Sequence, residues 1–285
     1  MGAYFVRRNS ANPLYRMVLQ RYVQMATEGG VPQAMYPEGG LSVDGRLREP
    51  KLGLLDYMLK GFSPDAERDL VFIPVGINYD RVIEDRSLLR KLDEKPPSGS
   101  LWRTLRITGA YLGRQFVFTL LGRRYRYGYA CVNFGRPLSM RGWVRERGVD
   151  FRGLTDAQRR DAVGAVGQAL MATIGQTIPV LPVPLVARVL VADPQRTWSE
   201  LELKAAVLAL MERAENQGAH VYVPRSDRDY AISVGLRMLT LRHLALDDEG
   251  LIRANPPELR VLRYYANSIA HLFDAPRATG PEGPA

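Results

Sequence analysis

The run LVFIPVGINYD, residues 70–80, limits the possible folds more than any other stretch. It is almost continuously apolar, rich in β-branched residues and too short for a typical helix. Such a run reads as a strand buried on both faces. A strand of that kind needs helices on either side, and the flanking sequence offers them. KLGLLDYMLKGF (51–62) precedes it and reads as a helix. Further back, Asn12-Pro13 opens another helix, with Asn as cap and Pro in the first turn. Leu14, Val18, Tyr22 and Met25 form its apolar face, and Gly29-Gly30 stops it. GAYFVRRN (2–9) and VPQAMYP (31–37) read as short strands. Strand, helix, strand, helix, strand predicts an α/β fold with a mostly parallel sheet covered by helices.

Later elements extend the pattern. Residues 99–122 read as a long helix carrying Arg103, Arg106 and Arg114, and YGYACVNFGRPL (127–138) as a strand ending in a turn. Thr155 with Gln158 forms a capping box for a helix through Ile174. The proline-rich stretch Pro179 to Pro184 marks a boundary. Beyond it, Thr197 with Glu200 suggests a second capping box, for a helix ending near Gln217-Gly218. HVYVP reads as a short strand. LALDDEGLIRANP reads as a hairpin around Asp248-Glu249-Gly250, and residues 257–273 as an amphipathic helix. This composition predicts a small helical, winged-helix-like subdomain. The expected division is an α/β domain over 1–178, the helical subdomain over 179–275 and a disordered Pro/Gly-rich tail over 276–285.

The chemistry concentrates in YPEGGLSVDGRLREPKLGLL, residues 36–55. Gly39 and Gly40 allow backbone N–H groups to approach an anion. Ser42 can donate a hydrogen bond, and Arg46, Arg48 and Lys51 are cationic. Glu38 is unfavourable beside a bare phosphate and suits a phosphorylated polyol, whose hydroxyl it can accept. The loop lacks the G-x-x-x-x-G-K-[ST] pattern of a nucleotide-binding loop, and an ordinary surface turn remains the alternative. Arg7 and Arg8 close the first strand. They read either as a solvated pair or as phosphate ligands at a strand's C-terminal end.

Other classes of chemistry find less support. His220, His243 and His271 have no partners at metal-ligand spacing, and no G-x-S-x-G elbow is present. His243 and Asp248 form an H-x-x-x-x-D, but one is at a helix end and the other in a hairpin turn. Cys131 is the single cysteine, so no intrachain disulfide forms. No apolar stretch is long enough to span a bilayer. The formal net charge of +9 suits anionic lipid, phosphate-bearing substrates or nucleic acid. The basic residues are spread along the chain, which weighs against a nucleic-acid binder.

GAYFVRR, YPEGGLSVDGRLREPKLGLL and VFIPVGINYDRVIED, in that order, resemble motifs II, III and IV of the glycerol-3-phosphate acyltransferases. These are the bacterial membrane-associated type, related to dihydroxyacetone-phosphate acyltransferases. VNFGRPL and LRYYANSIAHL resemble later segments of the same family, so the likeness covers nearly the whole chain. The resemblance implies transfer of an acyl group from acyl-CoA or acyl carrier protein, as co-substrate and without a cofactor, to the 1-hydroxyl of glycerol 3-phosphate in phospholipid synthesis. It implies that Arg7 and Arg8 are near the substrate phosphate. It implies that Glu38, Gly39, Ser42, Arg46 and Lys51 line the acceptor pocket, and that Pro74 lies on the acyl-donor side. It also implies peripheral attachment to the cytoplasmic, anionic face of a membrane.

The family's first motif, an H-x-x-x-x-D whose His is the general base and whose Asp orients it, precedes motif II. No such motif stands before Arg7 in this sequence. The chain is therefore expected to carry no catalytic residue of its own, to lack the fold's first elements, and to expose apolar surface at its sheet. The alternatives are a non-catalytic remnant that binds phosphoglycerol or lipid, and a sister enzyme whose acceptor is dihydroxyacetone phosphate or lysophosphatidate.

Overall fold

A computed structural model describes residues 12–93 and 128–274. Three sequence expectations lie outside them: the first strand with Arg7 and Arg8, the helix over 99–122, and the tail. The chain forms two compact units. Among the described residues, the first comprises 12–41, 47–76 and 133–177; the second comprises 42–46, 77–93, 128–132 and 178–274.

In the first unit, α1 (Pro13–Glu28) begins as its sequence dictates. Asn12 Oδ1 accepts the Tyr15 N–H at 3.2 Å, and Pro13 occupies the first turn. Helix α2 (Gly53–Leu59) follows the loop. Strand β1 (Val71–Phe72) pairs antiparallel with β4 (Leu138–Ser139), and Ser139 then caps α4 (Met140–Arg147) by accepting the Gly142 N–H at 3.0 Å. Thr155 and Gln158 form the expected box at the start of α5 (Asp156–Thr177). Leu55, Leu59, Phe62, Met140, Trp143 and Val166 make this unit's core. Asp56 ties α2 to α5 by accepting from Arg159 at 3.1 Å.

The second unit is built around α6 (Pro182–Ala192), nearly all of whose residues are buried. Pro182 supplies the first turn of this apolar helix, so the proline-rich stretch opens a core element. Strand β5 (Trp198–Ser199), α7 (Glu200–Asn216), α8 (Arg228–Leu241), β6 (Ala245–Asp248), β7 (Leu251–Ala254) and α9 (Leu259–Asn267) follow. The three strands form one antiparallel sheet in the order β5-β7-β6. The expected hairpin turn is present: Glu249 and Gly250 both take positive φ, 54° and 86°, as a tight two-residue turn requires. A short helix, α3 (Asp85–Arg90), also belongs here. Strands β2 (Val75–Tyr79) and β3 (Ala130–Phe134) pair with each other, and each runs from one unit into the other.

Mixed helices and small sheets agree with the α/β class, but several details differ. The ladders β1·β4, β5·β7 and β6·β7 are antiparallel, and the isolated Val180–Val221 bridge is parallel. An extended parallel sheet is not seen among the described residues, because the partner of 71–72 is the hairpin-like return at 138–139. The apolar run over 70–80 is not buried on both faces. Along β2, exposure alternates, with Gly76 and Asn78 buried and Val75, Ile77 and Tyr79 exposed. VPQAMYP is irregular chain, since Pro32 and Pro37 remove ladder donors. The second capping box is Ser199 with Glu202, two residues after the expected one. Pairing of Trp198 and Ser199 with β7 keeps the backbone extended to that point. In α1 the stripe Leu14, Val18, Tyr22 and Met25 faces outward, 67, 60, 54 and 57 % exposed, and Val23 is the buried side chain.

Candidate functional site

The loop at 36–55 divides between the units after Leu41. In its first part, Gly39 N–H closes a turn on the Tyr36 carbonyl at 2.9 Å with φ of 68°, a conformation that favours glycine. Lys51 N–H bonds the Pro37 carbonyl at 2.7 Å and brings the lysine back to the turn. A Cβ at Gly39 would stand 2.7 Å from Lys51 Cγ, so the glycine also makes room for the lysine stem. Lys51 is exposed, and its ammonium has no ion-pair partner among the described residues. Glu38 is half-buried in the same turn. The structure thus brings Glu38, Gly39 and Lys51 together, across twelve residues of sequence.

The second part, 42–46, is held by its own polar groups. Asp44 Oδ1 accepts the Arg46 N–H at 3.0 Å, and Ser42 Oγ donates to the Arg46 carbonyl at 2.7 Å. Gly45, with φ of 86°, lies against the Tyr264 carbonyl; an added Cβ would be 2.1 Å from that oxygen. Asn267 Nδ2 donates to the Asp44 carbonyl at 2.8 Å. Arg46 pairs with Asp274 at 3.2 Å. Asp44, Gly45 and Arg46 therefore hold residues 42–46 to the C-terminal helix region, and Ser42 closes that stretch on itself.

Pro74 is buried, and its carbonyl accepts the Gly135 N–H at 2.8 Å. Nearby, Asn133 Nδ2 donates to the Thr177 carbonyl at 3.1 Å. The proline thus locks VFIPVG against VNFGRP.

Sequence reading missed the acids that follow β2. Asp80 is 1 % exposed and accepts the Tyr129 N–H at 3.0 Å and the Val183 N–H at 2.9 Å. Its second bond caps the first turn of α6, where a carboxylate is favoured. Burial nevertheless outweighs these bonds and pushes its carboxyl from 3.8 up to about 6. Asp85 is also buried. Its carboxylate accepts from Arg242 and, at 2.6 Å, from Tyr265 Oη, which in turn accepts from Arg242 at 2.7 Å and from Val82 N–H at 3.1 Å. Burial, with Asp85 alongside, raises the Tyr265 hydroxyl well above its ordinary value. The signal was present in the two segments themselves, INYDRVIED and LRYYANS. Only the fold shows that they meet.

His243 takes φ of 55° at the end of α8, and its carbonyl accepts from Asn255 at 2.6 Å. Asp248 pairs with Arg253 at 3.2 Å. No hydrogen bond joins His243 to Asp248 among the described residues. No cluster of His, Cys, Asp or Glu among those residues has the makings of a metal centre.

Small sheets, antiparallel in the ladders β1·β4, β5·β7 and β6·β7, together with helices define a mixed α/β protein, and the Lys51 stem packs against the Gly39 turn. The family model for the glycerol-3-phosphate acyltransferase C-terminal region matches residues 117–278, more than half of the chain, and the chain belongs to that family. Similar curated proteins include the glycerol-3-phosphate acyltransferases of Xylella fastidiosa, Alteromonas mediterranea and Pseudomonas fluorescens. Each is 28 % identical over 96 % of this chain, which covers 31, 33 and 32 % of their own lengths. The chain thus spans about a third of the length of these relatives.

Proposed function

We propose that the chain is the acceptor-binding part of an acyltransferase that moves an acyl group from acyl-CoA or acyl carrier protein to the 1-hydroxyl of glycerol 3-phosphate. The observation that carries this reading is Lys51, exposed and without an ion-pair partner among the described residues, with its stem against the Gly39 turn. A phosphate dianion there gains a charge-assisted bond, and Glu38 can accept from a glycerol hydroxyl. Arg7 and Arg8 are assigned to the same phosphate by resemblance. Pro74 is assigned to the acyl-donor side, where it fixes the strand that would form the wall. Ser42 and Arg46 are assigned to the acceptor by resemblance; Ser42 bonds within its own loop, and Arg46 pairs with Asp274.

Acyl transfer needs a base to take the hydroxyl proton as the oxygen attacks the thioester carbonyl and the thiolate leaves. The sequence holds one H-x-x-x-x-D, and among the described residues no hydrogen bond joins its His243 to its Asp248, which pairs with Arg253. The chain alone is therefore expected to bind the acceptor without transferring an acyl group. Transfer above background by the purified 285-residue chain would overturn that part of the reading.

Calorimetric titration of glycerol 3-phosphate into the chain tests the binding part. Lys51→Gln is expected to weaken affinity roughly tenfold, on the order of 1.4 kcal/mol, with the fold intact by circular dichroism. Unchanged affinity would remove Lys51 from the pocket. Dihydroxyacetone phosphate and lysophosphatidate, titrated in parallel, decide the acceptor.

The order β5, α7, α8 and then the β6–β7 hairpin, with sheet order β5-β7-β6, supports reading residues 179–275 as a winged-helix-like subdomain. Its hairpin carries exposed Asp247, Asp248 and Glu249. Those charges would repel a phosphate backbone, which favours a role without nucleic acid. Attachment to the cytoplasmic side of an anionic membrane is proposed from the +9 charge. Among the described residues no helix is long and apolar enough to cross a membrane.

A further inference from the structure

Within the second unit, three arginines converge on the end of the described chain. Arg46 Nη1 lies 3.2 Å from Asp274 Oδ2, and Arg188 of α6 bonds the other oxygen of the same carboxylate. Arg213 of α7 reaches the Phe273 carbonyl at 3.5 Å. The Arg188 and Arg213 guanidinium groups stand 5.9 and 5.4 Å from the centroid of the Phe273 ring. Two cations thus face one carboxylate, and the Arg213 guanidinium stands beside them at Phe273. Arg188 first, then Arg46, hold the Asp274 carboxyl below its ordinary value of 3.8.

Beside this cluster opens a cleft of about 440 Å³. Arg188, Arg213 and Phe273 line it together with Val189, Trp198, Ala206 and Leu210. Its size falls in the range of about 300–1,000 Å³ that small-molecule sites occupy. Small alanines on α7, where larger side chains would close the gap, keep it open. The cleft therefore combines an apolar wall with an excess of guanidinium charge, which is the complement of an amphiphilic anion.

We propose that this cleft binds a single-chain anionic amphiphile. The apolar chain lies against Val189, Ala206 and Leu210, and the acidic head is held by Arg188 and Arg213. Asp274 competes with the head for the Arg188 guanidinium and sets how tightly the ligand binds. The proposal does not rest on Glu38, Gly39 or Lys51; the acceptor loop enters it only through Arg46, which pairs with Asp274.

The test is calorimetry on the 285-residue chain with dodecyl phosphate below its micelle concentration. Saturable binding is expected, with dodecanol and dodecyltrimethylammonium at least tenfold weaker. Arg213→Gln should weaken dodecyl phosphate about tenfold. Ala209→Trp fills the cleft from an exposed helix position and should abolish binding. Asp274→Asn removes the competing carboxylate and should tighten binding several-fold, an effect that damage to the fold cannot produce. Laurate as a second probe separates the two kinds of head: stronger binding of laurate assigns a fatty-acid-like carboxylate, and stronger binding of dodecyl phosphate assigns a phospholipid-like phosphate. Equal binding of the uncharged or cationic amphiphile, or an Asp274→Asn variant that binds no more tightly, would overturn the proposal.

Discussion

The turn at Gly39 and the acids after β2 treat their charges in opposite ways. Asp80 and Asp85 are almost fully buried, and each oxygen they offer is met by a backbone N–H, an arginine or a tyrosine. Lys51 leaves its charge at the surface, beside a turn that could not hold a larger residue than glycine. Both belong to stretches that read as functional motifs. The contrast separates two roles: the buried acids hold the second unit together, and the exposed lysine is the residue proposed to meet a ligand.

Substitutions can break or sharpen that contrast. The largest effect is expected at Arg242. Arg242→Ala leaves Asp85 buried without its cation and should cost about 3–5 kcal/mol in unfolding free energy, read from denaturant melts. Stability unchanged within error would place Asp85 among solvated groups.

Asp80 should act through pH. Its folded-state value near 6 lies above its ordinary 3.8, so the folded protein holds the proton more tightly than the unfolded chain. The stabilisation is full below about pH 4 and is lost as pH rises through 6, by roughly 3 kcal/mol at about 1.4 kcal/mol per unit. Melts between pH 4 and 7 should show this fall in the parent chain and a flatter profile in Asp80→Asn.

Gly45→Ala places a Cβ against the Tyr264 carbonyl at a positive φ and should cost about 1–3 kcal/mol. Ser199→Ala removes the cap of α7 and should cost about 1 kcal/mol. Smallest of all is Lys51→Gln, which should stay within about 0.5 kcal/mol of the parent while lowering ligand affinity. A large stability loss there would erase the distinction between the two regions.

Local chemistry was legible in the sequence wherever the neighbours that decide it are close in the chain. Asn12-Pro13, Thr155 with Gln158, and the Asp248-Glu249-Gly250 turn all behave as their residue types require. The cap at Ser199 was misplaced because a distant strand holds the preceding residues extended. The run over 70–80 looked two-sided because Val and Ile are equally at home on an exposed strand face, and only its partners decide which face is covered. In the candidate site, the glycines and cations of the loop were plain to read. Asn267 taking the Asp44 carbonyl, and Asp274 taking the Arg46 guanidinium, depend on contacts more than two hundred residues apart, which no local pattern encodes.

The outward stripe of α1 has a consequence for the chain as a colloid. Leu14, Met17, Val18, Tyr22 and Met25 present a continuous oily ridge to water. Molecules carrying such a ridge attract one another at short range, while the +9 charge keeps them apart at long range. The osmotic second virial coefficient should therefore be positive in dilute buffer and turn negative as added salt shortens the reach of that repulsion. Dispersing the protein in strong salt should call for a mild detergent, and the same detergent should be unnecessary at low ionic strength.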